Sequence, residues 1–269
     1  MFSPDKKVRH SKMVANQCTI DIFGMVETFP KYVQDFIKKA KSVYEPLALE
    51  SGAVYLGPTQ DDKQDGKGFQ IFVDKSMYLG EWKEGKSNGP GKFITSDGIE
   101  YQGTWIDQKL TGFGHCLKPN GATYEGEWDN HMPNGKGVEK FPDGSSYKGA
   151  FFNGLKHGKG VLTFPDGGCY KGDFEKDKIH GKGVYRSKDN LVYEGNWLNN
   201  RKNGEGSLKW ADGSRKYTGN FKDDLRHGHG TYSWNHGTKI YRGGWRFDQK
   251  HGIGYVKDSF DYVEKKGFW

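Results

Sequence analysis

The chain has little of what builds an ordinary core or an ordinary active site. Leucine, isoleucine and valine are scarce within a hydrophobic share of only 33%. That argues against a conventional sandwich or a doubly wound sheet. Three cysteines, Cys18, Cys116 and Cys169, lie far apart, and no C-x-x-C occurs, so no disulfide framework is expected. There is no Asn-x-Ser/Thr sequon. No run approaches the length of a transmembrane helix, roughly 18 apolar residues. The opening "MFSPDKKVRHSK" is charged and no apolar stretch follows it, so no signal peptide is expected. Phe2 after Met1 excludes myristoylation. Together these omissions lead to the expectation of a soluble intracellular protein. Charge is muted too: 41 basic and 34 acidic residues give +7. The signs alternate along the chain, which suits a solvated surface and permits an acidic partner without requiring one.

What the chain has in excess is glycine and aromatic rings. Glycine numbers 40 of 269 residues, about twice the usual share of ~7%. Tyrosine, phenylalanine and tryptophan number 15, 17 and 8. So many rings argue against disorder. The two excesses are arranged periodically. Tyr-x-Gly recurs at Tyr55, Tyr78, Tyr101, Tyr124, Tyr147, Tyr170, Tyr193, Tyr217 and Tyr241, at intervals of 23 and then 24 residues. A large ring follows two residues after the glycine: Trp82, Trp105, Trp128, Phe151, Phe174, Trp197, Phe221 and Trp245. Thr59 breaks the rule in the first unit. Each unit then carries Gly-x-Gly, as in Gly158 and Gly160.

The spacing has a direct structural meaning. Tyr-x-Gly-x-Trp alternates with period 2, so its named residues share one face of a strand. A second alternating run follows the Gly-x-Gly. Between units stand Asp97-Gly98, Asn120-Gly121, Asp143-Gly144, Asp166-Gly167, Asp189-Asn190 and Asp212-Gly213, which are hairpin turn signals. Each unit is therefore predicted to be a β-hairpin, its strand glycines serving as flat seats for neighbouring rings. A few large side chains cannot offset the entropy of ordering 23 residues, so units must stack. The expected fold is an all-β ribbon of about nine tandem antiparallel hairpins in one elongated, twisted, single-layer sheet.

These residues resemble a known family. Tyr124-Glu-Gly126-Glu-Trp128, followed by Gly135, Gly137 and Asp143-Gly144, is similar to the MORN (membrane occupation and recognition nexus) repeat. The resemblance covers residues 54–256 and implies the same single-layer hairpin sheet. Members vary in role. Asp223-Asp-Leu-Arg-His-Gly-His-Gly-Thr-Tyr232 looks most like a repeat of the radial-spoke head proteins of cilia.

Three regions are expected: an arm over 1–28, an amphipathic helix and cap over 29–50, and the repeat array with a closing strand over 54–269. In the helix Phe29, Tyr32, Val33, Phe36, Ile37, Ala40, Val43 and Tyr44 form an apolar stripe, and Pro46 stops it. It is expected to cap the first repeat or lie on the aromatic face. Docking a partner, or a membrane surface through Lys31, Lys38, Lys39 and Lys41, are the alternatives.

Several motifs imitate chemistry. Gly80-Glu-Trp-Lys-Glu-Gly85-Lys86-Ser87 matches the phosphate-loop pattern, but that loop must open a helix, and Asn88-Gly89-Pro90-Gly91 follows. His157, His180, His227 and His251 share a column, yet column neighbours sit one hairpin apart, roughly 9–10 Å, too far to share one metal ion. No catalytic set, cofactor or metal site is expected, and the repeats leave no room for a catalytic domain.

Two surfaces are candidates. The first is the ring face of Tyr78, Trp82, Tyr101, Trp105, Tyr124, Trp128, Tyr147, Phe151, Tyr170, Phe174, Tyr193, Trp197, Tyr217, Phe221, Tyr241 and Trp245. In a single layer this face is expected to stay partly open as a partner groove, for a helix or a second ribbon. The second is a lysine cluster on the other face: Lys136, Lys140, Lys148, Lys159, Lys171 and Lys182. It would meet an acidic partner or acidic phospholipid headgroups. Nucleic acid is not expected. The functional expectation is a non-enzymatic scaffold of a cytoskeletal assembly, the ciliary axoneme in the radial-spoke manner. The alternative is a membrane-apposed organiser.

Overall fold

The computed structural model describes residues 20–258, 260 and 262–269. The repeats form one 20-stranded antiparallel sheet. Each unit pairs a Tyr strand with a longer Gly strand, as Ser146–Phe152 pairs with Leu155–Thr163. The next Tyr strand, Cys169–Glu175, continues the sheet on the far side.

Register explains the glycine excess. Gly149 pairs with Gly160 within a hairpin, and Gly160 with Gly172 across the seam. The same pairing joins Gly68 to Gly80, Gly91 and Gly103, and Gly243 to Gly254 and Gly267. One glycine per strand thus forms a row that crosses the sheet. Its cause is steric. A Cβ on Gly183 would lie 2.3 Å from Oη of Tyr170, whose ring lies across that backbone. The first glycine of each Gly-x-Gly has a different task. Gly158 takes φ +65 at a β-bulge, where the register shifts between Gly149 and Phe151.

Two sets of turns alternate along the ribbon. At the seams, Phe141 and Ser145 bracket Asp143-Gly144, with Gly144 N donating to Phe141 O at 3.0 Å. Only the glycine is left-handed there, at φ +85, which makes a type I turn with a bulge. The Ser145 hydroxyl and amide both donate to Asp143 and hold its carboxyl below the usual range. Inside the hairpins lies a tighter set. Asn199 and Asn200 have φ +50 and +70, and Asp223 and Asp224 have +49 and +72, the pattern of a type I′ turn. Apart from Asn153-Gly154, these turns carry no Asp-Gly or Asn-Gly signature, so the sequence pattern does not mark the set.

The first unit is irregular. Gly57-Pro58 interrupts its Tyr strand after Val54–Leu56, and Thr59–Gln60 with Lys63–Gln64 make a separate small hairpin. Helix α1 spans Lys31–Ala40, inside the helix-and-cap region of 29–50, and ends before Pro46. Leu47–Ala48 instead pairs with Val54–Leu56 at the sheet edge. The helix does not lie on the ring face. Val33, Ile37 and Ala40 pack with Val54, Leu56, Phe69 and Ile71 on the opposite face. The reason is local composition: there the first units carry aliphatic residues where later units carry Lys148, Lys171 and Glu194. Of the expected arm, residues 1–19 and Cys18 lie outside the described residues, while Ile22 joins the α1 core. At the other end Val263–Phe268 closes the sheet, and Trp269 meets the Tyr241 ring at 5.5 Å and 85°, where a further repeat would place its own ring.

Candidate protein-binding surfaces

Most of the ring face is closed rather than open. Tyr147, Tyr170, Tyr193, Tyr217 and Tyr241 are 0% exposed, and Tyr78, Tyr124 and all eight tryptophan and phenylalanine members of the column are buried. Each tyrosine meets two rings edge-on. Tyr147 lies 5.1 Å from Phe151 of its own unit and 4.9 Å from Phe174 of the next. The rings therefore form a zipper that joins unit to unit and is interrupted at the unit of Tyr101. Most of their polar ends are satisfied: Tyr147 Oη donates to Ala150 O at 2.9 Å, and Trp105 Nε1 to Gly91 O at 3.1 Å, while Trp128 Nε1 is buried without a partner. Burial pushes the Tyr147 phenol up to about 12. Tyr101 departs from the pattern. Leu110, 1% exposed, takes its seat beside Gly103, and Tyr101 turns against Trp128 at 5.8 Å.

A second layer of side chains closes this face, and the sequence reading missed it. The residue nine positions after each tyrosine sits over the zipper. Lys156 Nζ lies 5.3 Å from the Tyr147 ring centre, Lys202 Nζ 5.5 Å from Tyr193, and Lys250 Nζ 4.6 Å from Tyr241. Arg226 lies 5.8 Å from Tyr217 and 4.3 Å from Trp245. These are cation–π contacts. Pro133 and Ile179 occupy the same position in their own units. The signal was present as a basic residue recurring at one offset.

The roofs are tied to the following hairpin turns. Asp177 Oδ1 accepts from Lys156 N at 2.8 Å, Asn200 Oδ1 from Ile179 N at 2.7 Å, and Asp248 Oδ1 from Arg226 N at 2.9 Å. In return Asp177 N, Asn200 N and Asp248 N donate to the roof carbonyls. Pro133 has no N–H to donate, and its turn partner, Gly154, has no side chain to accept.

The groove lies on the polar face. Its floor is the glycine row from Gly160 to Gly219, and it encloses about 1210 Å³. Lys159, Lys171 and Lys182 line one stretch of it, with Val161 and Val184 between them. Glu194 and Glu205 line the next, followed by Asn220. The structure thus gathers three of the six lysines at one site. Lys136, Lys140 and Lys148 are exposed on the same face outside that lining. Lys159 Nζ lies 2.5 Å from Asp173 Oδ1. Burial opposes ionisation of Asp173, but Lys159 and the Lys182 amide outweigh it and hold the carboxyl low. The Cβ positions of the floor point at the rings on the other face, and side chains such as Lys159, Val161, Lys171 and Lys182 rise beside it to form the recess. A second stretch of about 1050 Å³ lies beside α1, where Tyr32, Phe36 and Lys39 face Gly80, Gly91 and Gly103.

The remaining motifs have structural places. The phosphate-loop imitation spans a Tyr strand, its turn and a Gly strand, with Ser87 buried beside Trp82. His157 and His227 rest against Phe152 and Phe247. Cys169 pairs with Thr163 and Arg186 in the sheet.

The MORN repeat family matches residues 78–99, 101–123, 124–146, 147–169, 170–192, 193–215, 217–239 and 241–255. No curated protein matches the chain. Among solved structures, the TCP10 domain of Danio rerio CPAP in complex with a STIL peptide is similar at 12% identity. That match covers 84% of this chain and 99% of that one, with a TM-score of 0.41. The Drosophila melanogaster SAS-4 TCP domain, in complex with a proline-rich motif of Ana2, matches at 10% identity over 63% and 84% of the two chains, TM-score 0.36. Virginiamycin B lyase of Staphylococcus aureus matches at 10% identity over 82% and 92%, TM-score 0.17.

Proposed function

The chain belongs to the MORN-repeat family, and from that premise we propose that it is a non-enzymatic scaffold that holds a protein partner in a cytoskeletal assembly. The assembly we favour is the ciliary axoneme, with a role like that of radial-spoke heads. The ring columns serve this function indirectly. They join the units into one continuous ribbon, and the opposite face of that ribbon does the binding. The observation that carries the reading is the glycine-floored groove of about 1210 Å³, lined by Lys159, Lys171 and Lys182 and then by Glu194 and Glu205. Adjacent stretches of opposite charge suit a polypeptide of complementary pattern and fix its direction. The chain itself illustrates the mode: α1 already packs on this face at the first units.

The test is a tagged protein and a Lys159→Glu/Lys171→Glu/Lys182→Glu variant expressed in ciliated cells. The wild type should concentrate in axonemes and resist detergent extraction. The variant should fold, by circular dichroism, and wash out. A wild-type protein that never enters cilia sinks the axonemal role. A variant retained like the wild type sinks the groove.

The six exposed lysines favour a second reading, an acidic phospholipid surface. Flotation with anionic vesicles at physiological salt, lost on charge reversal at Lys159 and Lys171, would support it. The recess of the groove and the carboxylates of Asp173, Glu194 and Glu205 weigh against a flat anionic surface.

A further inference from the structure

The layer over the ring face changes character near the N-terminal end. At Lys156, Lys202, Arg226 and Lys250 a cation closes the aromatic seat. In the unit of Tyr78 that position is Ser87, nine residues on. Its side chain is far too short to reach across the rings.

The walls of the seat are nevertheless all present. Around Arg226, Trp245 meets Tyr217 at 5.3 Å and Tyr232 at 6.1 Å, and Trp210 meets Tyr232 at 5.8 Å. Around Ser87, Trp105 meets Tyr78 at 5.4 Å and Phe93 at 6.1 Å, and Phe72 meets Phe93 at 6.0 Å. The two boxes correspond ring for ring and nearly distance for distance. One contains a guanidinium. The other opens as a pocket of about 900 Å³ lined by these rings with Ser87, Gln64 and Gln108. Half-buried Phe72 and Phe93 form its lip.

We infer that this pocket receives an arginine side chain from a partner polypeptide, seated among Phe72, Tyr78, Phe93 and Trp105 as Arg226 is seated among its own rings. Charge agrees with that occupant. No lysine or arginine lines the pocket, and Asp74 stands at its edge. Hydrogen bonding agrees as well. Asp248 accepts from Arg226 Nε at 2.9 Å, and Gln108, an amide acceptor, holds the corresponding turn position beside Ser87. An apolar occupant would gain the rings but not the Gln108 hydrogen bond. The pocket is on the face opposite the glycine-floored groove, so its occupation is independent of what that groove holds.

The probe is acetyl-Gly-Arg-Gly-amide, with the citrulline peptide as its uncharged isostere. Each is titrated into the full chain while the indole N–H resonances of Trp82 and Trp105 are followed by NMR. The arginine peptide should bind with saturable shifts, on the order of tenfold tighter than the citrulline peptide. Ser87→Arg would supply the chain's own cation, as Arg226 does in its unit, and should abolish binding with the melting curve unchanged or raised. Gln108→Lys leaves the seat empty but puts a like charge at its rim, and should weaken binding even if Ser87→Arg disturbs folding. Equal binding of the two peptides overturns the inference. So does a folded Ser87→Arg protein that binds like the wild type, or a Gln108→Lys protein with unchanged affinity.

Discussion

Gly183→Ala tests the reason for the glycine row. The added Cβ would stand 2.3 Å from Tyr170 Oη and 2.4 Å from its Cε2 and Cζ. Carbon contacts are comfortable at roughly 3.5–4.0 Å, so the ring must move by about an ångström or more. Tyr170 is 0% exposed and meets Phe174 and Trp197, each at 5.3 Å, so it has no free direction. Overpacking of this kind costs about 1–3 kcal/mol, and each disturbed ring pair adds about 0.5–1.5. We expect a loss of about 3 kcal/mol. Gly267→Ala is the matched control. That glycine ends the same row, but nothing lies within 4 Å of its Cβ position. Its substitution should change stability by less than about 0.5 kcal/mol. A tandem array opens locally, so native-state hydrogen exchange of amides in Cys169–Arg186 is the proper measurement. The cause is isolated by repeating Gly183→Ala in a Tyr170→Ala background, where it should cost almost nothing, a coupling of about 2–3 kcal/mol. Equal costs for Gly183→Ala and Gly267→Ala, or the same cost with and without the ring, would refute the reasoning.

Two further outcomes follow from burial. Ile37 is 0% exposed at the α1 contact, so Ile37→Ala should cost about 2–4 kcal/mol, read as accelerated exchange in Val54–Leu56 and Gly66–Ile71 with the distal units unchanged. Burial raises the Tyr147 phenol from 10.0 to about 12. The folded state therefore keeps its proton where the unfolded chain loses it. Stability should be complete below pH 10 and fall as pH rises through 12. Phenolate absorbance at 295 nm should then rise together with loss of circular dichroism. Ionisation of the buried tyrosines near pH 10 with the sheet intact would contradict this.

Much of the fold was legible in the chain because its information is local and repeated. Tyr147-x-Gly149-x-Phe151 fixes which residues share a face, and Asp143-Gly144 marks a seam. Most of the type I′ turns escaped because pairs such as Asp223-Asp224 or Lys176-Asp177 adopt left-handed φ without a glycine, held by hydrogen bonds to the neighbouring hairpin, and Asn153-Gly154 alone shows no period. The roof escaped for a related reason. Lys156 reads as one more solvated cation until the structure lays it over Tyr147.

The sequence alone determined the repeat, the hairpin and the assignment of each residue to a face, since strand alternation and a 23-residue period allow little else. Tertiary structure decided which face is open. A ring column in a single layer reads as exposed from its pattern. Edge-on contacts to the next unit, such as Tyr147 to Phe174, and a cation or aliphatic roof, such as Lys156, bury it, and neither contact follows from strand alternation within one hairpin. On the other face, a glycine floor between side-chain flanks leaves a recess, and its shape exists only once many hairpins lie side by side.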